Sequence, residues 1–454
     1  MSGLADITTL AKYLATLEAR SLPAPVRENA KACLLYGLAV GIGTRCARPA
    51  QIALDAADRR RESGNTTRLI DGARTSQGSA AFANAVLLSG RGPGDSHPCG
   101  HIGGVVIPAA LAAAEDEGAT GEALLSGLVA GYESALRIGR DHAADLSLRG
   151  FRTTPYYGVF GAAVATGRIR GFAGEKMRNA IGLAANFAGG LREYVNAGTE
   201  ESPFQAGFAA RNGVYVADLV SCGLQSAKSA LHGGAGFYRA FGAEDVNYGR
   251  RLVDRLGSEF EFATVTYKQY PACQFLRGII RGLAVLRGQT TDGEVRAMEI
   301  RMNPYEADFI GVRFTGPFTS ATQTVMSAPF CAALAWTSGT ASFDDLRKFD
   351  DPAVNALVPK IRIITDAGRK RYEPHIEVLL ADGRKLEWTE QVGDSNYRLT
   401  WSAATEMTHQ LCKEVGVPRP LAQELIDVAA QVEQLPDAKP LVAAVCAATT
   451  SRLP

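Results

Sequence analysis

Residues 107–140 read IPAALAAAEDEGATGEALLSGLVAGYESALRIGR, and their composition is typical of much of the chain. Alanine, leucine and glycine dominate the stretch and β-branched residues are few, which predicts two helices, over 107–115 and 122–140. The same character extends over 25–40, 79–88, 157–170 and 201–223. Further helices are predicted over 8–17, 175–189 and 226–232. Because small side chains let helices approach closely, the pattern predicts a densely packed helical domain.

The pattern changes after Tyr270. Helices are predicted over 272–287 and 321–336, with two short ones around 343–357, and strands over 294–302, 361–365, 375–380 and 385–389. Three helices follow over 402–415, 420–434 and 439–449. The predicted fold is therefore mainly α with an α+β domain. Residues 1–267 together with 397–454 would form the helical domain, and 268–396 the α+β domain.

Bulk composition excludes several classes of protein. With 48 Lys and Arg against 47 Asp and Glu, the net charge of +1 provides no field to bind nucleic acid. The apolar runs are too short to span a membrane, and no signal peptide is recognisable. The eight cysteines contain no CxxC pair or zinc-binding spacing, so we expect reduced thiols, no metal site and a cytoplasmic protein.

The densest polar cluster is RGPGDSHPCGH, residues 91–101. Its glycines and prolines exclude a helix, so it forms a loop between two apolar helices. The loop holds His97 and His101, two of only six histidines, together with Asp95. Histidine exchanges a proton readily near neutral pH, so the loop is a candidate catalytic site rather than a simple surface turn.

Several stretches, taken in chain order, resemble the MmgE/PrpD family. They are the Asp95–His101 loop with VVIPAALAAAE (105–115), GYESALRIG (131–139), GFRTT with GVFGAA (150–163), GLRE (190–193), PFQAGFAARNG (203–213) and YKQYPAC (267–273). The resemblance covers nearly the whole chain. It implies a large helical domain with a smaller α+β lid domain, and a homodimer. It also implies chemistry on a proton beside a carboxylate of a small polycarboxylate substrate, without metal or organic cofactor.

The sequence departs from the family at several positions. An Asp-rich stretch precedes the family's histidine loop, but here only Asp95 matches an aspartate. Ser202 stands where the family has a lysine, and Gln205 and Arg152 stand where it has histidines. A tyrosine of the second domain corresponds to Ser327 or a neighbour. These departures leave the exact reaction open.

The resemblance and the residue types together assign candidate roles. His101 would act as acid or base, Lys268 as its partner or as a carboxylate holder, and Asp95 would orient an imidazole. His97 is a further catalytic candidate. The substrate-binding candidates are Gln205, Arg152, Arg192, Cys273 and Ser202. The alternatives are ordinary ones: a solvated surface lysine for Lys268, structural ion pairs for the arginines and a buried thiol for Cys273.

Three functions remain open from the sequence. A lyase, either dehydratase or decarboxylase, would abstract the proton alpha to a carboxylate and release water or carbon dioxide. An epimerase would need a proton donor and acceptor but no acid for a leaving group. A non-catalytic binding protein is the third. A cleft between the two domains is where the histidine loop, the Gln205 segment and the Lys268 junction would be expected to meet.

Overall fold

The computed structural model describes residues 2–92, 94–243, 247–290, 294–391 and 397–452. The helices are α1 Ser2–Thr16, α2 Ala24–Thr44, α3 Arg48–Arg60, α4 Gln77–Ser89, α5 Gly103–Asp116, α6 Gly121–Gly139, α7 Ala143–Leu148, α8 Thr153–Ile169, α9 Gly174–Ala184, α10 Glu193–Ala197, α11 Ser202–Ser221, α12 Phe237–Phe241, α13 Arg277–Arg287, α14 Pro304–Ala307, α15 Ala321–Met326, α16 Ala328–Ser338, α17 Pro352–Leu357, α18 Trp401–Glu414, α19 Arg419–Ala430 and α20 Lys439–Thr450. The strands are β1 Thr66–Thr67, β2 Arg74–Thr75, β3 Asp95–Ser96, β4 Thr266–Tyr267, β5 Val295–Met302, β6 Ile361–Thr365, β7 His375–Leu380 and β8 Lys385–Thr389. The predicted class, mainly α with a smaller α+β part, is confirmed.

The described residues fall into two compact units. The first takes those within Met1–Leu191, Glu201–Val265 and Leu399–Pro454, and the second those within Arg192–Glu200 and Thr266–Arg398. The short segment 192–200 therefore belongs with the second unit, which no sequence pattern indicated. The domain boundaries drawn from the sequence stay a proposal, and the limit at 396 lies outside the described residues.

Helix packing in the first unit depends on small residues. Helix α8 packs against α5, α6 and α11, and α18 packs against α2. A Cβ added at Gly131 of α6 would lie 2.7 Å from the carbonyl oxygen of Gly161 in α8, and one at Gly213 of α11 would lie 2.3 Å from the Cβ of Ala162. Neither approach tolerates a side chain. The close packing expected from the alanine- and glycine-rich faces is therefore present at these crossings.

The second unit is built on a four-stranded sheet in the order β6-β5-β7-β8. Strands β5 and β6 are parallel, whereas β5 with β7 and β7 with β8 are antiparallel. Alternate residues of β5 and β7 are buried, among them Met298, Ile300, Ile376 and Val378. They form a core with α13 and α16, so the sheet has one helix-covered face.

Two predicted helices were wrong in detail. Residues 226–232 form turns, because Asn179 Oδ1 accepts hydrogen bonds from both the amide and the hydroxyl of Ser226, at 3.2 and 3.4 Å, in place of helical bonding. The helix expected over 321–336 is two helices, α15 and α16. Ser327 ends the first and caps the second, accepting the Phe330 amide at 3.0 Å, and Pro329 fits only the start of a helix.

No helix in the described ranges combines the length and the apolar character needed to cross a membrane.

Candidate active site

The histidine loop lies in the first unit, between α4 and α5, and Gly100 fixes its shape. This glycine has φ 107°, and a Cβ there would lie 2.6 Å from the amide nitrogen and the hydroxyl of Thr154 at the start of α8. The same hydroxyl accepts the His101 amide hydrogen at 3.0 Å. Only glycine allows the loop to approach α8 this closely, so the contact sets the position of His101.

His101 is half-buried, and its Nδ1 is held by the backbone of the loop. Its Nδ1 lies 2.6 Å from the backbone carbonyl oxygen of Asp95. A carbonyl oxygen can only accept, so Nδ1 carries the hydrogen and the neutral ring has its lone pair on Nε2. In this tautomer Nε2 of His101 is basic, and the hydrogen bond made by Nδ1 fixes the orientation of the ring.

The Asp95 carboxylate is buried behind the loop. Its Oδ2 accepts the Gly103 amide at 2.9 Å and the Tyr132 hydroxyl at 3.0 Å. Burial raises the pKa of Asp95 to about 6, although these hydrogen bonds act in the opposite direction. Asp95, which was expected to orient an imidazole, thus contacts His101 through its backbone carbonyl oxygen. Its side chain ties the loop to α5 and α6.

Both ring nitrogens of His97 face protein groups. Nδ1 accepts the Cys99 amide hydrogen at 3.2 Å, and Nε2 lies 4.0 Å from a carboxylate oxygen of Glu261. The other Glu261 oxygen binds the Arg140 guanidinium. No motif in the sequence signalled Glu261 or Arg140, because both are far from the loop along the chain.

Three of the substrate-binding candidates meet in the first unit. The Arg152 guanidinium binds the Ser202 carbonyl oxygen, and it lies 3.4 Å from Gln205 Oε1. Gln205 Nε2 donates to the Leu191 carbonyl oxygen at 3.0 Å. Arg152, Ser202 and Gln205, which stand where the family has two histidines and a lysine, therefore form one hydrogen-bonded group.

The remaining candidates lie in the second unit. Lys268 is buried, which is incompatible with a solvated surface lysine. Burial raises the pKa of the Cys273 thiol, and the positive charges of Lys268 and Arg192 act against this rise. The Arg192 guanidinium stacks 4.5 Å from the centre of the Phe309 ring. The effect of burial is the larger one, so Cys273 is a protonated thiol rather than a thiolate nucleophile.

Two cavities are lined by other residues, although Phe309, on which Arg192 stacks, lines one of them. One of about 520 Å³ in the first unit is lined by Arg60, Arg211 and Tyr215, among others, and one of about 440 Å³ in the second unit by Val195, Phe309 and Gln323, among others. No candidate residue lines either cavity. In the part of the chain that the structure describes, no three His, Cys, Asp or Glu side chains are grouped as a metal ion requires.

Comparison with known proteins gives the family. The model of the MmgE/PrpD N-terminal domain matches residues 8–248. The chain is 25% identical over 437 residues to cis-aconitate decarboxylase of Aspergillus terreus, covering 91% of this chain and 86% of that protein. It is 31% identical over 203 residues to cis-aconitate decarboxylase of Homo sapiens, covering 42% of this chain and 41% of that one. These matches extend the motif-based resemblance over most of the chain, and the protein belongs to the MmgE/PrpD family.

Proposed function

We propose that the protein is a cofactor-independent lyase that decarboxylates a small tricarboxylate of the cis-aconitate type. The observation that carries the proposal is the likeness to a cis-aconitate decarboxylase over 91% of the chain. At 25% identity this likeness supports the reaction class more strongly than the substrate. The epimerase and the binding protein remain alternatives that the experiment below separates.

In this proposal His101 is the proton-transfer residue. Decarboxylation breaks a carbon–carbon bond, leaves its electron pair on the substrate and releases carbon dioxide. The carbon that receives the electrons must then be protonated. The contact of Nδ1 with the Asp95 carbonyl leaves proton exchange to Nε2 of His101. A protonated His101 delivers one proton per turnover, and solvent restores it.

Lys268 would hold a substrate carboxylate or share the proton transfer. A buried ammonium group attracts an anion strongly because little water screens it. Burial of Lys268 supports this role. Of the other candidates in the second unit, Arg192 would contribute a further positive charge and Cys273 an apolar wall.

Arg152, Gln205 and Ser202 would bind the substrate rather than react with it. A guanidinium has five N–H donors, so Arg152 can bind a carboxylate while it keeps its contact with Ser202. Gln205 would offer a neutral hydrogen bond where the family has an ionisable histidine. These three differences from the family would change which groups hold the substrate. The proposed proton donor, His101, matches the family's loop histidine.

Asp95 and His97 would position His101. The Asp95 side chain is engaged by Gly103 and Tyr132, and the His97 ring by Cys99 and Glu261. These contacts support a role in holding the loop, in place of direct proton transfer by either group.

The test is proton NMR of the purified protein with cis-aconitate in deuterated water. A decarboxylase consumes the substrate and gives a product with one carboxylate fewer and one deuterium on carbon. An epimerase would instead leave cis-aconitate unchanged and, with a chiral dicarboxylate in its place, would exchange a C–H for deuterium without losing a carboxylate. Tight binding of cis-aconitate without either change would identify a binding protein and refute the proposal.

We also propose that the protein acts as a homodimer through the outward face of α11. Phe208 and Tyr215 are 47% and 56% exposed and, seven residues apart, lie on the same side of the helix. Arg211 lies one helical turn before Tyr215 and Asp218 one turn after it. In an antiparallel pair of α11 helices about a two-fold axis at Tyr215, Arg211 would meet Asp218 of the partner subunit.

The proposed location is the cytoplasm. All eight cysteines lie in the described ranges and are thiols, as expected in a reducing compartment.

A further inference from the structure

A buried ion pair in α6 holds the segment that carries Glu261. Glu133 and Arg137 are fully buried, with 2.7 Å between Arg137 Nε and Glu133 Oε2. Arg137 donates to the carbonyl oxygen of Glu259 at 2.6 Å, and Glu133 accepts the amide of Phe262 at 2.9 Å. These bonds lie on both sides of Glu261. The two hydrogen bonds therefore fix the backbone at Glu261. They depend on the ion pair, because loss of either partner would leave an uncompensated buried charge.

The Glu261 carboxylate lies between two basic groups. One oxygen binds Arg140, and the other lies 4.0 Å from Nε2 of His97, which is an electrostatic contact rather than a hydrogen bond. The side chains of His97, Arg140 and Glu261 are only 8%, 9% and 18% exposed, so solvent screens them weakly. Asp141, a further charged group near the loop, is engaged by Arg251.

The His97 ring has a defined orientation in this cluster. Because Nδ1 accepts the Cys99 amide, the hydrogen of the neutral ring is on Nε2, the nitrogen nearer the Glu261 carboxylate. The backbone of His97 also exchanges two hydrogen bonds with Gly100, at 3.1 and 2.8 Å. Gly100 precedes His101, so these two bonds tie the backbone of His97 to the residue beside His101.

We propose that Glu261, clamped by Arg140, is a positioning residue that holds His97 and thereby the loop that presents His101. The inference rests on the proposed function only in so far as His101 is the proton-transfer residue. The contact of Glu261 with His97 is a property of the folded chain alone, and it is measurable without substrate.

The first arm of the test is NMR titration of the protein with isotope-labelled histidine. The His97→Asn variant assigns the His97 signals. Glu261→Gln keeps the side-chain shape but leaves the Arg140 charge beside the ring, so the His97 signals should titrate about one pH unit lower. Glu259→Gln is the matched control, because its side chain is 56% exposed and pairs with Arg255. An unchanged His97 titration in Glu261→Gln would overturn the contact.

The second arm is steady-state kinetics with the substrate identified above. Glu261→Gln should lower kcat by about tenfold with KM little changed, since misplacing a proton donor costs rate rather than binding. Glu259→Gln should match the wild type. A shifted His97 titration with normal kcat would refute the positioning role. If instead His101→Ala kept full turnover, the proposed function would fail while the result of the NMR arm would stand.

Discussion

At the residue scale, His101 and Lys268 carry the proposed chemistry. His101→Ala removes the proton donor, and Lys268→Ala removes a buried cation. Each should lower kcat by about 10²-fold or more in the decarboxylation assay, the usual effect of removing a positioned acid or base. The matched controls are His409→Ala on α18 and Lys228→Ala at an exposed position, which should keep wild-type turnover. Near-normal kcat in both site variants would refute the assignment.

His142 shows why control residues must be chosen from the structure. From the sequence it is a histidine outside every motif, so its replacement should change little. In the fold it is completely buried, with Nδ1 2.9 Å from the Tyr157 hydroxyl and Nε2 3.0 Å from the Phe241 carbonyl oxygen. His142→Ala would leave a cavity and unpaired polar groups, so it would lower stability whatever its effect on turnover.

Asp95 predicts a distinct pH dependence of stability. Its pKa is raised to about 6 by burial, above the value of 3.8 for an exposed aspartate. Between these values the unfolded chain loses the proton while the folded chain keeps it, so the wild type loses stability as pH rises. Asp95→Asn cannot lose that proton. The free energy of unfolding of the variant minus that of the wild type should therefore increase by about 3 kcal/mol from pH 3.5 to pH 7.

Urea unfolding of both proteins across this pH range measures the difference. Only the change with pH is diagnostic, because Asn also alters the hydrogen bonds to Gly103 and Tyr132. A difference that stays constant, or that shrinks as pH rises, would contradict the raised pKa of this buried carboxyl group.

At the element scale, helix periodicity and composition predicted most of the fold. The long helices, such as α2, α6, α8 and α11, lie close to their predicted ranges because their apolar patterns are continuous. The α15 and α16 pair was merged in the prediction because the cap at Ser327 is a single residue. The turns at 226–232 were missed because they depend on Asn179, which is remote in sequence.

The candidate site was only partly predictable, because several of its contacts join residues that are remote in sequence. The loop histidines, the aspartate and the junction lysine stand in motifs. Glu261 and Arg140 do not, since their role depends on how α6 packs against the segment that follows Leu252. The meeting of Arg152 with Gln205 likewise requires the fold, although each residue had been singled out alone.

The exposed face of α11 predicts the assembly state. Tyr215→Glu places a charge at the proposed two-fold axis, where it would face its own copy, and should convert the dimer to a monomer in light scattering. Leu148→Glu on α7 is the control, because Leu148 is 69% exposed and lies outside this face. A monomeric wild type, or a Tyr215→Glu variant that stays dimeric, would refute the interface.

At the scale of the whole molecule, the central claim is decarboxylation without a metal or organic cofactor. The relatives support the lyase class, and the basic Nε2 of His101 provides a group suited to the proton step. The claim has two measurable parts, turnover and independence of a metal. An assay that counts carbon dioxide against substrate consumed, in protein freed of metal, addresses both together.

The most direct measurement is carbon dioxide release from cis-aconitate by protein dialysed against a chelator. We predict one carbon dioxide per substrate consumed, at the rate of untreated protein, and a loss of about 10²-fold in His101→Ala. Stoichiometric metal with activity that returns only on its replacement would contradict cofactor independence. Absence of carbon dioxide from cis-aconitate, in folded and dimeric protein, would contradict the proposed function itself.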